Sequence, residues 1–452
     1  MRAWVVLALA ALAASQATSP AACAPLPADQ ATVPAAGASL PAGQACPERS
    51  RRATSSAADA LPAHDCVAID RYALAAPAGA TDSIPALSAY LVAPARNERE
   101  MARAIFRWVA QFVTYDASAE ATSLDPTLVL SRGRATCSGY AALFKALADA
   151  AGMKAETVVG HSKRFADDSI DGSSCPWNHS WNAVEADGQW RLVDCCWAAG
   201  HLDERGAFVR KFNPHYFMTA PEVFAYDHFP RDARWQLLDP PISKEAYLRQ
   251  AHVLPPFFDC GLRLISHQSG QIETDNALSI TIGAPPQTYL TAVLSRDGQR
   301  VAEQCTFAQR RADGVVIRAL FPTAGRYILR VFARRGTANG AYAWALDYVV
   351  HARSGASADA GFPMTYESFL ARNCQLEGAF SRVLPAGRTI EFALAAPGAD
   401  DVVISTGGAW AHLSAQGSRF VGEVPVARGE VVVFARFAGQ AAYEGLLQYH
   451  AQ

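Results

Sequence analysis

Residues 179–194, HSWNAVEADGQWRLVD, have the pattern of a β-hairpin. Apolar and polar residues alternate on both sides of a central Asp-Gly pair, which is a strong signal for a two-residue turn. With the turn centred there, the register predicts that Trp181 faces Asp194 and that His179 faces Cys196. His179 and Asp194 then lie on one face of the sheet as diagonal neighbours, within reach of each other.

Two amphipathic helices precede this hairpin. The first is predicted to start after Asn97, a residue type that caps helix N-termini, with an acid three residues later. Its apolar residues are spaced by three or four: Met101, Ile105, Trp108, Val109, Phe112 and Val113. The second is predicted to begin at about Cys137 and to stop at Gly152, a favoured residue just past a helix end. Its apolar side comprises Tyr140, Phe144, Leu147, Ala148 and Ala151.

Cys137 is the residue that first suggests a catalytic function. The dipole and free N–H groups at a helix N-terminus lower the pKa of a thiol and can stabilise an oxyanion on a substrate. A cysteine in this position alone is more often inert packing. Catalysis by sulfur also needs a nearby base and a group that orients the base, and His179 and Asp194 supply both. We therefore predict Cys137, His179 and Asp194 as catalytic residues.

Three segments resemble the Cys, His and Asp boxes of transglutaminase-like proteins: residues 135–141 (ATCSGYA), 179–182 (HSWN) and 190–194 (WRLVD). Further segments are similar to the kyphoscoliosis peptidase branch of that superfamily: residues 104–109 with 115–116, 215–219, 228–230 and 235–238. The resemblance covers about residues 66 to 245. It is looser in the C-terminal half, where that branch carries β-sandwich repeats.

The resemblance implies a papain-like α+β core followed by two all-β immunoglobulin-like sandwich domains. It implies acyl transfer from a protein or peptide substrate through a thioester on Cys137, with His179 as general base and acid and Asp194 as the orienting group. Transfer to water makes a peptidase or a deamidase, and transfer to a lysine makes a cross-linking transglutaminase. A catalytically inactive scaffold that binds extracellular proteins is a third interpretation. Trp108 is a candidate second oxyanion donor, although its helix spacing favours a core position.

The chain divides into five predicted segments: a signal peptide at 1–17, a disordered Ala/Pro-rich linker at 18–62, a catalytic domain at 63–250, and β-sandwich domains at 255–352 and 360–452. The leader has one positive charge followed by a short apolar run, which is typical of a secretory signal peptide. We therefore expect a secreted or periplasmic protein.

Composition excludes several classes of function. The 452 residues are 50% hydrophobic and 18% charged, with a formal net charge of −2, so the electrostatic footprint of a nucleic-acid-binding protein is missing. No second apolar run is long enough for a membrane span. His201, His215 and His228 lack metal-ligand spacing, and no phosphate loop follows a strand, so we expect neither metal nor cofactor. Several tryptophans are expected to wall the cleft or fill the core: Trp177, Trp181, Trp190, Trp197 and Trp235.

The cysteines pose a separate question. Cys23 lies at the edge of the leader and fits a lipid-attachment site poorly, so a lipoprotein is not expected. Nine cysteines follow it, which allows four disulfides and one free thiol in an oxidising compartment, or several buried thiols. Cys195 and Cys196 stand where relatives carry small polar residues, and a bridge from either to Cys175 is one possible pairing. A bridge to Cys137 would instead silence the enzyme.

Overall fold

The computed structural model describes residues 63–118, 122–163, 177–203, 205–336, 340–357 and 359–452. The predicted signal peptide and linker lie outside these residues, as does Cys175. The described chain forms two compact units that divide at residue 244. None of the helices in the described ranges is both long and apolar enough to cross a membrane.

The first unit is the α+β core. Its helices are α1 (Ala63–Leu74), α2 (Ile84–Val92), α3 (Glu98–Phe112), α4 (Pro126–Arg132), α5 (Cys137–Ala150), α6 (Cys195–Ala199) and α7 (Pro221–Phe224). Its strands are β1 (Thr114–Tyr115), β2 (Arg134–Ala135), β3 (Ala155–Ser162), β4 (His179–Ala186), β5 (Gln189–Val193), β6 (Gly200–Leu202), β7 (Phe208–Arg210), β8 (Phe217–Thr219) and β9 (His228–Pro230).

The two predicted helices are confirmed as α3 and α5. The Asn97 side chain caps α3 by accepting the Glu100 N–H at 2.9 Å, and α5 begins at Cys137. Gly152 follows α5 with a φ of +75°, the left-handed conformation expected of a residue that ends a helix. The tyrosine hydroxyl of Tyr140 donates to the Val113 carbonyl at 2.6 Å and ties the first turn of α5 to the end of α3.

The apolar face of α3 departs from the prediction at two residues. Phe112 is 42% exposed, whereas Arg103 is buried. Arg103 donates to both carboxylate oxygens of Asp70 on α1, at 2.7 and 2.8 Å, and its guanidinium lies over the ring of Phe217. A bidentate ion pair and an aromatic face stabilise a guanidinium inside a core, which spacing along one helix does not reveal.

An antiparallel sheet in the order β8-β5-β4-β3-β9 carries the predicted hairpin. The register of β4 and β5 is confirmed: Ala186 pairs with Gln189, and Asn182 pairs with Val193. The prediction that the pairing continues to place His179 opposite Cys196 is wrong. The ladder ends at Val193 because the Asp194 carboxylate accepts the Trp197 N–H at 2.9 Å and caps α6, which contains Cys196.

The second unit is β-rich. It begins with α8 (Lys244–Arg249), β10 (His252–Val253) and α9 (Pro255–Asp259), followed by β11 (Arg263–Leu264), β12 (Gln271–Thr274), β13 (Ala277–Gly283), β14 (Thr288–Arg296), β15 (Gln299–Arg300), β16 (Thr306–Arg311), β17 (Gly314–Leu320), β18 (Gly325–Arg335) and β19 (Ala343–Ala352). The remainder comprises β20 (Met364–Thr365), α10 (Glu367–Ala371), β21 (Gln375–Leu376), β22 (Val383–Leu384), β23 (Thr389–Ala395), β24 (Ala399–Thr406), β25 (Ala409–His412), β26 (Ser414–Gln416), β27 (Arg419–Pro425), β28 (Gly429–Phe437) and β29 (Glu444–Ala451).

These strands form two sandwiches with the same topology. The first pairs a β10-β19-β18-β14-β15 sheet with a β11-β13-β17-β16 sheet, and the second pairs β20-β29-β28-β24-β25 with β21-β23-β27-β26. In each, one extra strand runs parallel to the long last strand, β12 along β19 and β22 along β29. The expected fold class is therefore confirmed, and the second sandwich repeats the strand order of the first.

Candidate active site

Cys137 is the first residue of α5 and is only 5% exposed. The short strand β2 and Thr136 lead directly into it, so its sulfur lies at the positive end of the helix dipole. The helix is 14 residues long and ends at Ala150, so α5 is long enough for its aligned peptide dipoles to add. The structure thus puts the predicted nucleophile where an anionic sulfur is stabilised.

His179 and Asp194 are in direct contact. Nε2 of His179 lies 2.7 Å from Oδ2 of Asp194, and both residues are fully buried. Burial alone would raise the pKa of Asp194, but the charge and hydrogen bond of His179, joined by those of His228, hold that pKa well below its usual value. Asp194 is therefore a carboxylate that accepts the Nε2 proton of His179. This fixes the tautomer of the ring and leaves Nδ1 as its proton acceptor.

Two hydrogen bonds hold the strand that carries His179 against the helix that begins with Cys137. The hydroxyls of Ser138 and Ser180 lie 3.1 Å apart in a buried position. Asn182 donates its amide to the Ala141 carbonyl of α5 at 3.0 Å. The residue after Cys137 therefore contacts the residue after His179, so the structure brings the helix N-terminus to the start of β4.

Sequence reasoning missed a second imidazole at this site. His228 on β9 is buried, with Nε2 3.1 Å from Asp194 Oδ2 and Nδ1 2.6 Å from Asp227 Oδ1. The other oxygen of Asp227 accepts the Tyr216 hydroxyl at 3.3 Å. Burial lowers the pKa of His228, but the two carboxylates outweigh it and raise the pKa to about 9. The resemblance at residues 215–219 and 228–230 is the signal that could have found this network.

Aromatic rings enclose the two imidazoles. The ring centroid of Trp197 lies 5.3 Å from His179 and 4.7 Å from His228, and Phe224 stacks on His228 at 4.0 Å. Trp181 lies 6.0 Å from His179. These rings exclude water and lower the local dielectric, which strengthens every charge interaction of the network.

Gly160 on β3 makes room for Trp181, and this gives a prediction. A Cβ at Gly160 would overlap the Trp181 ring, meeting its Cζ3 at 2.8 Å, and the Phe229 carbonyl. We expect Gly160→Ala to lower the free energy of unfolding by about 1–3 kcal/mol, measured by urea denaturation. The matched control is Gly79→Ala, because a Cβ there meets no atom within 4 Å. Equal stability of the two variants would contradict the close packing of Trp181 on β3.

The structure also places three of the tryptophans that the sequence singles out. Trp108, considered as an oxyanion donor, is 4% exposed and stacks on Phe112, and its indole N–H has no hydrogen-bond partner among the described residues. Trp190 and Trp235 contact each other edge to face, with centroids 4.9 Å apart. Trp108 therefore has the core position favoured by its spacing and still carries an unused donor.

The described cysteines do not meet the expectation of four disulfides. Cys195, Cys260, Cys305 and Cys374 are buried thiols, so at most five of the nine cysteines remain for pairing. Burial raises the pKa of each of these four thiols, and for Cys195 the adjacent Asp194 adds to the effect. Buried protonated thiols are poor nucleophiles and behave as small apolar side chains.

The ligand atoms of His179, Asp194 and His228 lie within 4.8 Å of one another and could in principle hold a metal ion. The hydrogen bonds argue against this use. Each Nε2 lies at hydrogen-bond distance from the same Asp194 oxygen. The three side chains are thus paired with one another, and we derive no step through a metal.

Comparison with known protein families agrees with this architecture. Residues 85–195 match the profile of the Transglutaminase-like superfamily. This matched segment contains both Cys137 and the β4–β5 hairpin. Residues 244–363 match the KY-like, immunoglobulin-like domain. The chain thus combines a transglutaminase-like domain with a KY-like immunoglobulin-like domain, and the resemblance to the kyphoscoliosis peptidase branch is confirmed.

Individual relatives match over part of their length. Kyphoscoliosis peptidase of Mus musculus is 31% identical over 250 residues, which cover 54% of this chain and 37% of that protein. Lim and transglutaminase domain protein ltd-1 of Caenorhabditis elegans is 33% identical over 226 residues, covering 46% and 30%. Hillarin of Drosophila melanogaster is 26% identical over 304 residues, covering 60% and 36%. The chain therefore spans between 30% and 37% of the length of these relatives.

Proposed function

We propose that this protein is a cysteine acyltransferase that hydrolyses amide bonds of peptides or proteins through a thioester on Cys137. The observation that carries the proposal is the buried 2.7 Å contact between His179 and Asp194. The strand that begins with His179 is hydrogen-bonded to the helix that begins with Cys137. The transglutaminase-like profile over residues 85–195 supports the same reaction class.

The chemistry follows from the ring orientation. Because Nε2 of His179 is bound to Asp194, Nδ1 takes the thiol proton while the Cys137 sulfur attacks the carbonyl carbon. The carbonyl oxygen becomes an oxyanion, which the N–H groups of the first turn of α5 stabilise. Nδ1–H then protonates the leaving amine as the C–N bond breaks, and a thioester remains on sulfur.

Water completes the cycle. It gives a proton to Nδ1 of His179 and its oxygen attacks the thioester carbonyl carbon. The C–S bond breaks, the product leaves as a carboxylic acid, and the sulfur takes back the proton from Nδ1. A lysine amine in place of water would give a cross-link. The polar, buried hydrogen bonds of Asp194 keep the ring in one orientation through both half-reactions.

Selective alkylation tests the activated thiol. We expect iodoacetamide at pH 6 to label Cys137 in the folded protein in preference to every other cysteine. The thiols of Cys195, Cys260, Cys305 and Cys374 are buried with raised pKa values and stay protonated. His179→Ala should slow the labelling by roughly tenfold or more, because the thiolate loses its imidazole partner. Peptide mapping by mass spectrometry identifies the labelled residue.

The matched control is His201→Ala, which removes an exposed imidazole from β6 of the same unit. Preferential labelling of any cysteine other than Cys137, or no effect of His179→Ala, would favour the inactive scaffold. Adding a fluorescent primary amine and a glutamine-bearing protein then separates the acceptors. If the acceptor is water, the glutamine-bearing protein gains new α-amino groups and no fluorescence. If the fluorescent amine is incorporated into that protein, the reaction is cross-linking.

A further inference from the structure

We propose that His228 is a positioning residue of this site, an imidazolium clamped between Asp194 and Asp227 that holds the Asp194 carboxylate ionised and fixed against His179. The inference rests on the proposed function, because it concerns the same Cys137–His179 pair. It adds a second buried histidine to the three residues that the sequence singles out.

The hydrogen-bond geometry of His228 favours a charged ring. Nε2 of His228 lies 3.1 Å from an oxygen of Asp194, and Nδ1 lies 2.6 Å from an oxygen of Asp227. A neutral imidazole has one donor and one acceptor nitrogen, and an acceptor nitrogen facing a carboxylate oxygen is repelled. Only the doubly protonated ring donates to both carboxylates. The raised pKa of His228 agrees with this geometry.

The same bonds leave Asp194 no freedom to rotate. One oxygen of Asp194 receives both His179 Nε2 and His228 Nε2, and the other receives the Trp197 N–H. The carboxylate is therefore held at both oxygens by three donors from β4, β9 and α6. A carboxylate held in this way presents a fixed acceptor to His179, so the His179 ring keeps one tautomer and one orientation.

His228 also sets the charge at the site. The groups that face it are Asp194, Asp227 and His179, with the Tyr216 hydroxyl beyond Asp227. On the neighbouring strand β3, Ser162 is its cross-strand partner, flanked by the buried residues His161 and Lys163. Stacked Phe224 and the Trp197 and Trp181 rings cover the imidazole with apolar surface.

Replacing the His228 cation by a neutral residue is expected to move the pH dependence of the site in one direction. With His228 charged, its imidazolium compensates one of the two carboxylates beside His179, and with His228 replaced by a neutral residue both carboxylates are uncompensated. Extra negative charge favours the protonated form of every nearby group. The protonated thiol and the protonated ring of the Cys137–His179 pair are then both favoured, so the pH profile of Cys137 alkylation moves to higher pH.

The test measures the rate of Cys137 alkylation by iodoacetamide between pH 4 and 9. We expect His228→Gln to shift the midpoint upward by about one to two pH units, because the ring centroids of His228 and His179 are 5.4 Å apart. Phe224→Leu is the matched packing control, since it loosens the ring stacked on His228 without changing charge. A merely structural role for His228 would slow both variants and leave the midpoint unchanged.

The outcomes separate the two proposals. If wild-type Cys137 is not labelled selectively, the proposed function fails. If it is labelled and His228→Gln has the wild-type midpoint, the role of His228 is overturned and the proposed function stands. Should His228→Gln not fold, nitrogen NMR of the wild-type imidazoles at pH 7.5 decides: both ring nitrogens of His228 are expected to be protonated, and a neutral ring overturns the inference.

Discussion

Asp194→Asn is expected to lower kcat/KM for peptide hydrolysis by roughly 10³- to 10⁴-fold. Asparagine has the same shape, and its side-chain oxygen can still accept the Trp197 N–H that begins α6. It lacks the negative charge that holds the Nε2 proton of His179 and stabilises the imidazolium during attack. The measurement is the release of α-amino groups from an unfolded protein substrate.

Asp149→Asn is the matched control for this substitution. Asp149 lies in the last turn of α5, half-exposed, and pairs with Lys145 at 3.1 Å, far along the helix from Cys137. The Asp149→Asn variant should hydrolyse the substrate at the wild-type rate. An Asp194→Asn protein that folds, shown by its near-ultraviolet circular dichroism, and retains activity within about tenfold of wild type would remove Asp194 from the mechanism.

Local signals were sufficient for the parts of the site that depend on neighbouring residues. The Asp-Gly turn fixes the β4–β5 register, and Gly152 marks the end of α5. The same signals misjudged the end of β5. Alternation along 190–194 predicts that the strand continues through Asp194, whereas the Asp194 side chain caps α6.

The missing residues come from long-range contacts. His228 reaches Asp194 because β9 pairs with β3, where His228 lies opposite Ser162, and no short pattern sets that register. Arg103 is buried because Asp70, 33 positions earlier, supplies its ion pair. The parallel pairing of β22 with β29 joins Val383 to His450, 67 positions later, which strand spacing cannot reveal. Buried polar groups depend on partners that only the tertiary fold supplies.

The stability of the first unit is expected to fall as the pH rises from about 6.5 to 9. The pKa of His228 is raised to about 9 in the folded protein, against about 6.5 in an unfolded chain. A raised pKa contributes stability that is complete below the unfolded pKa and is lost as the pH passes the folded one. The loss corresponds to about 3 kcal/mol in the free energy of unfolding.

Asp194 changes the stability with pH in the opposite direction, because its contribution is lost on acidification. Its pKa is lowered in the folded protein, so its contribution is complete above the unfolded value of about 3.9 and is lost as the pH falls toward the folded one. The two effects together predict a stability plateau between about pH 4 and 6.5, bounded on the alkaline side by His228 and on the acid side by Asp194.

Urea unfolding followed by tryptophan fluorescence measures this profile, because six of the nine tryptophans, Trp108, Trp177, Trp181, Trp190, Trp197 and Trp235, lie between residues 63 and 244. In His228→Gln the alkaline decline should be absent, with a lower plateau because two buried carboxylates have lost their shared cation. His201→Ala, which lacks an exposed imidazole, should keep the wild-type slope. A wild-type profile that is flat from pH 6.5 to 9 would mean that His228 is not charged in the folded protein, since an imidazolium that forms on folding must take up a proton over that range.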